Sequence, residues 1–323
     1  MLRRTLLAAT ASAGIPSASM AQDGHYPDRP IRVVVPFPAG GATDVVVRLL
    51  GERMAQDLRQ PIVVENRTGA AGTVGAASVA RSRPDGYTLL AASLGSNLIA
   101  PLLMREPPFD PKADFEFIST IGKTPTALLV RADSPFRSVE DLLAVLRREP
   151  GRHSYSSAGI GSPMHLSAVL LGITSRTDAV HVPYRGEAPA VTDLIAGQVL
   201  FCFSPASSAV GYVRGGRVRA LAVASAERVP SLPDVPTMAE AGQQGVEAYT
   251  WQGLLAPAQT PRPIIDRLNR ALRAAIDDPA IRARANEIGV PVSASTPEEF
   301  RAEFDADLRK WSEVIRAAGI ERQ

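Results

Sequence analysis

Short apolar runs alternate with longer stretches of helical periodicity along this chain, and that alternation restricts its fold more than any other feature. Apolar runs at 31–35, rich in β-branched residues, and at 61–65 and 87–92 are followed by helical patterns at 43–58, 73–80 and 96–103. A strand buried on both faces reads as a continuous apolar run, and a helical crossover is what joins parallel neighbours. The pattern therefore predicts an α/β protein with helices packed on a largely parallel sheet. A second series comes next, with strand patterns at 126–131, 153–157, 179–183, 199–204 and 218–223. Helical patterns sit between them, one of them opened by Ser138 ahead of Glu140 and Asp141, and others at 163–171 and 188–195. After Ala224 the style changes to a proline-punctuated loop at 231–236, a strand at 247–255 and amphipathic helices at 264–277, 280–288 and 297–318.

Two such series and a helical tail predict two lobes with a cleft between them. Residues 22–125 and 226–323 are expected to form one lobe and residues 126–225 the other, with crossovers near 126–131 and 218–223. A chain of this length suits two lobes of ~100–150 residues each better than one small core. The first residues read as an export signal: Arg3 and Arg4, an apolar run at 6–13, and Ser19-Met20-Ala21 before Gln22. That run is too short to span a bilayer. Cleavage is expected near Ala21, by general or twin-arginine export, leaving a periplasmic protein.

Composition removes other classes. Net charge is only +2 and the arginines are scattered, so no basic stripe grips nucleic acid. An aromatic share of 5% is too small for a base-stacking or sugar-stacking platform. Cys202, the only cysteine, lies in the apolar run Val199-Leu200-Phe201-Cys202-Phe203 and reads as a buried thiol without a disulfide partner.

Function is carried by the turn at the end of each strand. The first strand runs into Phe37, Pro38, Ala39, Gly40, Gly41, Ala42, Thr43 and Asp44, the second into Gly69-Ala70-Ala71-Gly72, and the third ends in Ser93-Leu94-Gly95-Ser96-Asn97. The second series contributes Ser157, Ala158, Gly159, Gly161 and Ser162, with His165 a helical turn later, then Tyr184 and Arg185, then Ser204. Any one of these is ordinary turn and capping chemistry. Their recurrence in both halves points to a polar cleft at the carboxyl ends of the strands, where helix N-termini offer N–H groups to an anion. Asp44 serves either the helix dipole or a ligand amine or hydroxyl, and Arg185 either closes over a carboxylate or sits on the rim.

Enzymatic motifs are missing. Gly69, Gly72 and Gly75 are spaced G-x-x-G-x-x-G rather than as the dinucleotide fingerprint, and there is no P-loop or H-E-x-x-H sequence. Ser162 and His165, with Asp193 as a distant acid, resemble a hydrolase pair, but Gly161-Ser162-Pro163 is not G-x-S-x-G, and proline after serine reads as a helix start. The histidines and the cysteine show no metal-ligand spacing, so no cofactor or metal is expected.

The motifs Tyr26-Pro27-Asp28-Arg29-Pro30-Ile31 through Pro36-Phe37-Pro38-Ala39-Gly40-Gly41, Val63-Val64-Glu65-Asn66-Arg67, and Pro84-Asp85-Gly86-Tyr87 occur in order. So do Gly161-Ser162-Pro163-Met164-His165, His181-Val182-Pro183-Tyr184-Arg185-Gly186, Pro233-Asp234-Val235-Pro236-Thr237 and Trp251-Gln252-Gly253. Over essentially the whole mature chain this set resembles the Bug family, the TctC-type receptors of tripartite tricarboxylate transporters. The resemblance implies a two-lobed, type II periplasmic-binding (Venus flytrap) fold and a non-enzymatic, monomeric protein. It further implies that a small carboxylate (a di- or tricarboxylate, an acidic amino acid or an aromatic acid) is held by main-chain groups, hydroxyls and water, chiefly by residues 38–43 and 157–162. Partners would be membrane transporter subunits or, alternatively, a membrane sensor kinase.

Overall fold

The computed structural model describes residues 26–287 and 290–322. The export signal and its cleavage point lie outside the described residues. Among those residues no helix is long and apolar enough to cross a membrane.

The strands are β1 (Ile31–Val35), β2 (Ile62–Asn66), β3 (Thr88–Ser93), β4 (Phe115–Arg131), β5 (Ser154–Ser157), β6 (Val180–Pro183), β7 (Phe201–Pro205), β8 (Val218–Val223) and β9 (Tyr249–Pro257). They order as β2-β1-β3-β9-β4-β7-β5-β6, with β8 also paired to β4. β1 pairs in parallel with β2 and β3, and β5 in parallel with β6 and β7. These two parallel sets are the sheets of two lobes, in the α/β arrangement that the alternation predicts. β1 shows why the strands are central: Ile31, Val33, Val34 and Val35 are all at most 2% exposed, so both faces are covered.

The helices are α1 (Ala42–Leu58), α2 (Thr73–Ala80), α3 (Ala100–Leu103), α4 (Val139–Arg148), α5 (Pro163–Ser175), α6 (Glu187–Ile195), α7 (Ala206–Arg214), α8 (Arg262–Asp277), α9 (Pro279–Glu287) and α10 (Pro297–Ala317). Sequence chemistry sets their starts. Ser138 and Asp141 form a capping box on α4, and Thr296 and Glu299 form another on α10. Residues 96–103, read as one helical segment, form a π-helical turn over Gly95–Ile99 followed by the short α3.

β4 departs most from the sequence pattern. Its apolar periodicity suggests a strand at 126–131, yet it begins at Phe115 and serves both sheets. Phe115 to Pro125 pair antiparallel with β9, whereas Thr126 to Arg131 pair with β7 and β8. β8 pairs only with the far end of β4, and the chain returns through 224–248, where Ala248 N–H donates to Ala224 O, into β9, which pairs with β3 and the first half of β4. Pro125 and Gly122 disguise the first half of β4, because they are turn formers that tertiary pairing overrides.

One apolar cluster passes from lobe to lobe. It joins Val34, Leu90 and Phe117 to Leu142, Leu166 and Phe201, with Trp251, Phe300 and Phe304 against it. A second cluster lies between β1, α1 and α8 and a third between β7, α6 and α7. Cys202 is fully buried, and desolvation pushes its thiol pKa far up, so it packs as an apolar group.

Candidate ligand-binding cleft

The loops after β1 and β5 are built on the same plan. In the first, Gly40 adopts φ 81° and its N–H donates to Asp44 Oδ2 at 2.9 Å, four residues on in the first turn of α1. In the second, Gly161 adopts φ 76° and its N–H donates to His165 Nδ1 at 3.1 Å, again four residues on in the first turn of α5. A positive φ is where glycine is needed, and in each loop the side chain one helical turn later fixes the peptide.

The two acceptors differ in charge. Asp44 is 3% exposed and carries an ion pair to Arg48 at 2.9 Å, with Asn66 Nδ2 donating to Oδ1 at 2.9 Å and to Phe37 O at 3.0 Å. The Arg48 hydrogen bonds, helped by those from Gly40 and Asn66, outweigh burial and hold its carboxyl pKa at about 2. His165 is 5% exposed, and burial, with His181 beside it, lowers its pKa to about 4. Its ring stacks on His181 at 4.0 Å, and His181 Nε2 lies 2.6 Å from Ser157 Oγ. Ser157 Oγ in turn accepts the Gly159 N–H at 3.1 Å. The second loop thus rests on a neutral His165 imidazole, since only an unprotonated Nδ1 can accept from Gly161, with the His181 ring stacked against it.

Between these loops lies a cleft of about 820 Å³. The predicted residues that line it are Phe37, Gly41, Thr43, Ala71, Ser93, Ser96, Ala158, Gly161 and Ser162. Gly161 faces across it: a Cβ there would stand 2.3 Å from Leu103 Cδ1 and 3.2 Å from Ile99 Cγ2, so the loops of the two lobes already touch. Ser93 and Ser96 share a 3.1 Å hydroxyl contact. Gly72 is packed against Ser96 at the foot of the same corner.

Other predicted residues stand elsewhere. Pro38, Ala39 and Gly40 are exposed on the first loop, and Ala42 opens α1 behind them. Asp44, Ser157, Gly159 and His165 brace the loops from behind. Tyr184 Oη donates to Asp193 at 2.5 Å, Arg185 is exposed away from the lining, and Ser204, with no exposure, donates to Glu187 at 2.5 Å. Gly95 of the predicted 93–97 turn and Ile160 of the predicted 157–162 loop line it as well, whereas reasoning from the sequence did not single out Ile99, Ala100, Leu103, Met104, Pro163, Thr250 and Gln252, which complete the lining. Gln252 is opposite Ser93 in the β3–β9 register, and its buried Oε1 has no partner among the described residues. Its place in Trp251-Gln252-Gly253 was an available signal, but no periodicity places β9 beside β3 at the edge of the cleft.

Comparison with known proteins agrees with this architecture. Residues 46–320 match the model of the tripartite tricarboxylate transporter family receptor. The chain belongs to that receptor family. It is 36% identical to the Bordetella pertussis protein BugT, over 96% of this chain and 94% of that one. An R. palustris protein solved with adipate superposes with a TM-score of 0.78 at 33% identity, covering 92% of this chain and 99% of the other. MatC from Rhodopseudomonas palustris with bound malate gives 0.75 at 35% identity, covering 90% and 100%. This is a family of solute-binding receptors, not of enzymes. The hydrolase reading of this receptor accordingly fails, and the geometry shows why: Ser162 Oγ accepts the backbone N–H of His165 as a helix cap, the His165 Nδ1 is taken by Gly161, and Asp193 is bonded to Tyr184.

Proposed function

We infer that this receptor captures a small carboxylate in the periplasm and presents it to the membrane subunits of a tripartite transporter. The observation that carries this reading is the pairing of matched loops, Gly40–Asp44 and Gly161–His165, on either side of one cleft. Each holds the start of a helix toward the same space, where the positive end of the helix dipole and the hydroxyls of Thr43, Ser93, Ser96 and Ser162 suit an anion. The relatives solved with adipate and with malate support a carboxylate ligand. Division of the chain into 22–125 with 226–323 and 126–225 belongs to the same reading. Its support is the change of β4 partners between Pro125 and Thr126. Ligand contacts from both lobes would favour the closed form, and that form is what a membrane partner would recognise.

Isothermal titration of the purified mature protein against a panel of mono-, di- and tricarboxylates tests it. At least one carboxylate is expected to bind, with Ser162→Ala and Thr43→Val each weakening it. Failure of every anion in the panel would refute the capture role.

A further inference from the structure

We propose that this cleft selects carboxylates with an apolar, uncharged body (aliphatic or aromatic monocarboxylates) over compact polyanions. The inference rests on the carboxylate-capture reading above and concerns the other end of the ligand.

The first observation is electrostatic. Among the described residues, no lysine, arginine, histidine, aspartate or glutamate lines the cleft. Charged and titratable groups nearby face other partners: Arg48 is spent on Asp44, and the His165 ring lies behind the Gly161 peptide. The helix starts and the hydroxyls serve one carboxylate, and a second one placed elsewhere in the cleft would have uncharged donors and water alone to offset its desolvation.

The second observation is where polarity gathers. Ser93, Ser96 and Gln252 form one corner, tied by the serine hydroxyl contact and by the β3–β9 register. The contrasting wall is hydrocarbon. Ile99 and Leu103 come from the π-turn and α3, Met104 follows, and Gly161 is packed against Ile99 and Leu103. Next to Gly161 stands Ile160, 51% exposed, at the lip of the same cleft. Ile99 is buried and backs this wall, and the side chains of Leu103, Met104 and Ile160 in front of it offer no hydrogen-bonding group beyond a thioether. Each ligand methylene buried against them is worth roughly fourfold in affinity. A carboxylate pressed to the same wall would lose its hydration without a partner.

The third observation is size. A cleft of about 820 Å³ is in the range of sites that enclose a ligand with a body of several carbons, larger than a compact hydroxy diacid fills.

Titration calorimetry with hexanoate, benzoate, 3-phenylpropionate, malate, citrate and the uncharged hexanamide tests the proposal. Hexanoate or an aromatic monocarboxylate is expected to bind at least tenfold more tightly than malate and citrate, with a negative heat-capacity change. Hexanamide should bind far more weakly than hexanoate. Met104→Lys and Ile160→Lys are expected to weaken hexanoate by tenfold or more and to strengthen adipate. Ile160 is exposed enough that its variant leaves folding intact, which a thermal melt checks. Malate or citrate binding as tightly as the monocarboxylates, or lysine variants that leave the ranking unchanged, would overturn the selectivity while leaving carboxylate capture standing. Absence of binding by every acid would instead bring down the capture reading and this inference with it.

Discussion

Replacing His165 with phenylalanine separates the two jobs this side chain does. The flat ring still stacks on His181, 4.0 Å away in the native protein, but the acceptor for the Gly161 N–H disappears. Gly161 is buried, so its orphaned donor costs about 1–3 kcal/mol. If that cost falls on the loop conformation that meets the ligand, affinity drops roughly 5- to 150-fold. His165→Asn, with an amide oxygen in reach of the same N–H, is expected to recover part of it. Proton linkage supplies a second arm. The imidazole pKa falls from 6.5 to about 4 in the folded protein, so between those values the unfolded chain binds more protons than the native one. The stability tied to this group is therefore complete above about pH 6.5 and declines as pH falls toward 4. That gap corresponds to about 3 kcal/mol as an order of magnitude. Denaturant melts at about pH 7 and pH 4.5, with calorimetry against whichever of hexanoate, adipate or malate binds tightest, measure both arms. His181, also lowered by burial, keeps part of the acid sensitivity, so His165→Phe should shrink the slope without abolishing it. A variant with affinity within twofold of the parent and an unchanged pH slope would refute the bracing role.

Asp44→Ala removes the acceptor that holds Gly40, Arg48 and Asn66 together, and is expected to cost about 2 kcal/mol in a urea melt and to weaken ligand binding. Asp44→Asn should do less harm at pH 3 than at pH 7, because the stability tied to the native carboxylate is complete above about pH 3.8 and is lost as pH falls toward 2. Gly161→Ala forces a side chain into a left-handed conformation facing Leu103, so ligand affinity should fall by more than thermal stability does. Asp307 accepts from Trp251 Nε1 at 2.9 Å, and desolvation raises its pKa to about 6. Its raised value makes the native state less stable as pH climbs from 3.8 to 6, so Asp307→Asn is expected to raise the melting temperature at pH 7.5 and to leave it nearly unchanged at pH 4.

Much of this architecture is legible in the order of residues, because strands such as β1 bury both faces and helices such as α4 and α10 announce their caps. The loops at 37–43 and 157–162 are equally legible, since glycine at positive φ before a helix leaves a local mark. Roles within those loops are not. Asp44, His165 and Ser204 look like cleft residues by position, yet each turns away from it, and no local pattern records which way a side chain points. Ile99, Leu103 and Gln252 reach the cleft only because β9 and the π-turn are placed by long-range pairing, which no periodicity encodes.

The apolar cluster that runs from Val34 and Phe117 to Leu166 and Phe201 has a bearing on how the molecule melts and can be dissected. Lobes on a string would denature one after the other, and each could be produced by itself. Here either half, cut free, would lay bare the face that the other covers, so a gene fragment encoding one lobe should aggregate rather than fold. Heating the intact protein should give a single calorimetric peak with matching van't Hoff and calorimetric enthalpies. With β4 continuous across Pro125–Thr126, where its partners change, opening of the cleft is expected to bend that strand rather than swing on a loose tether.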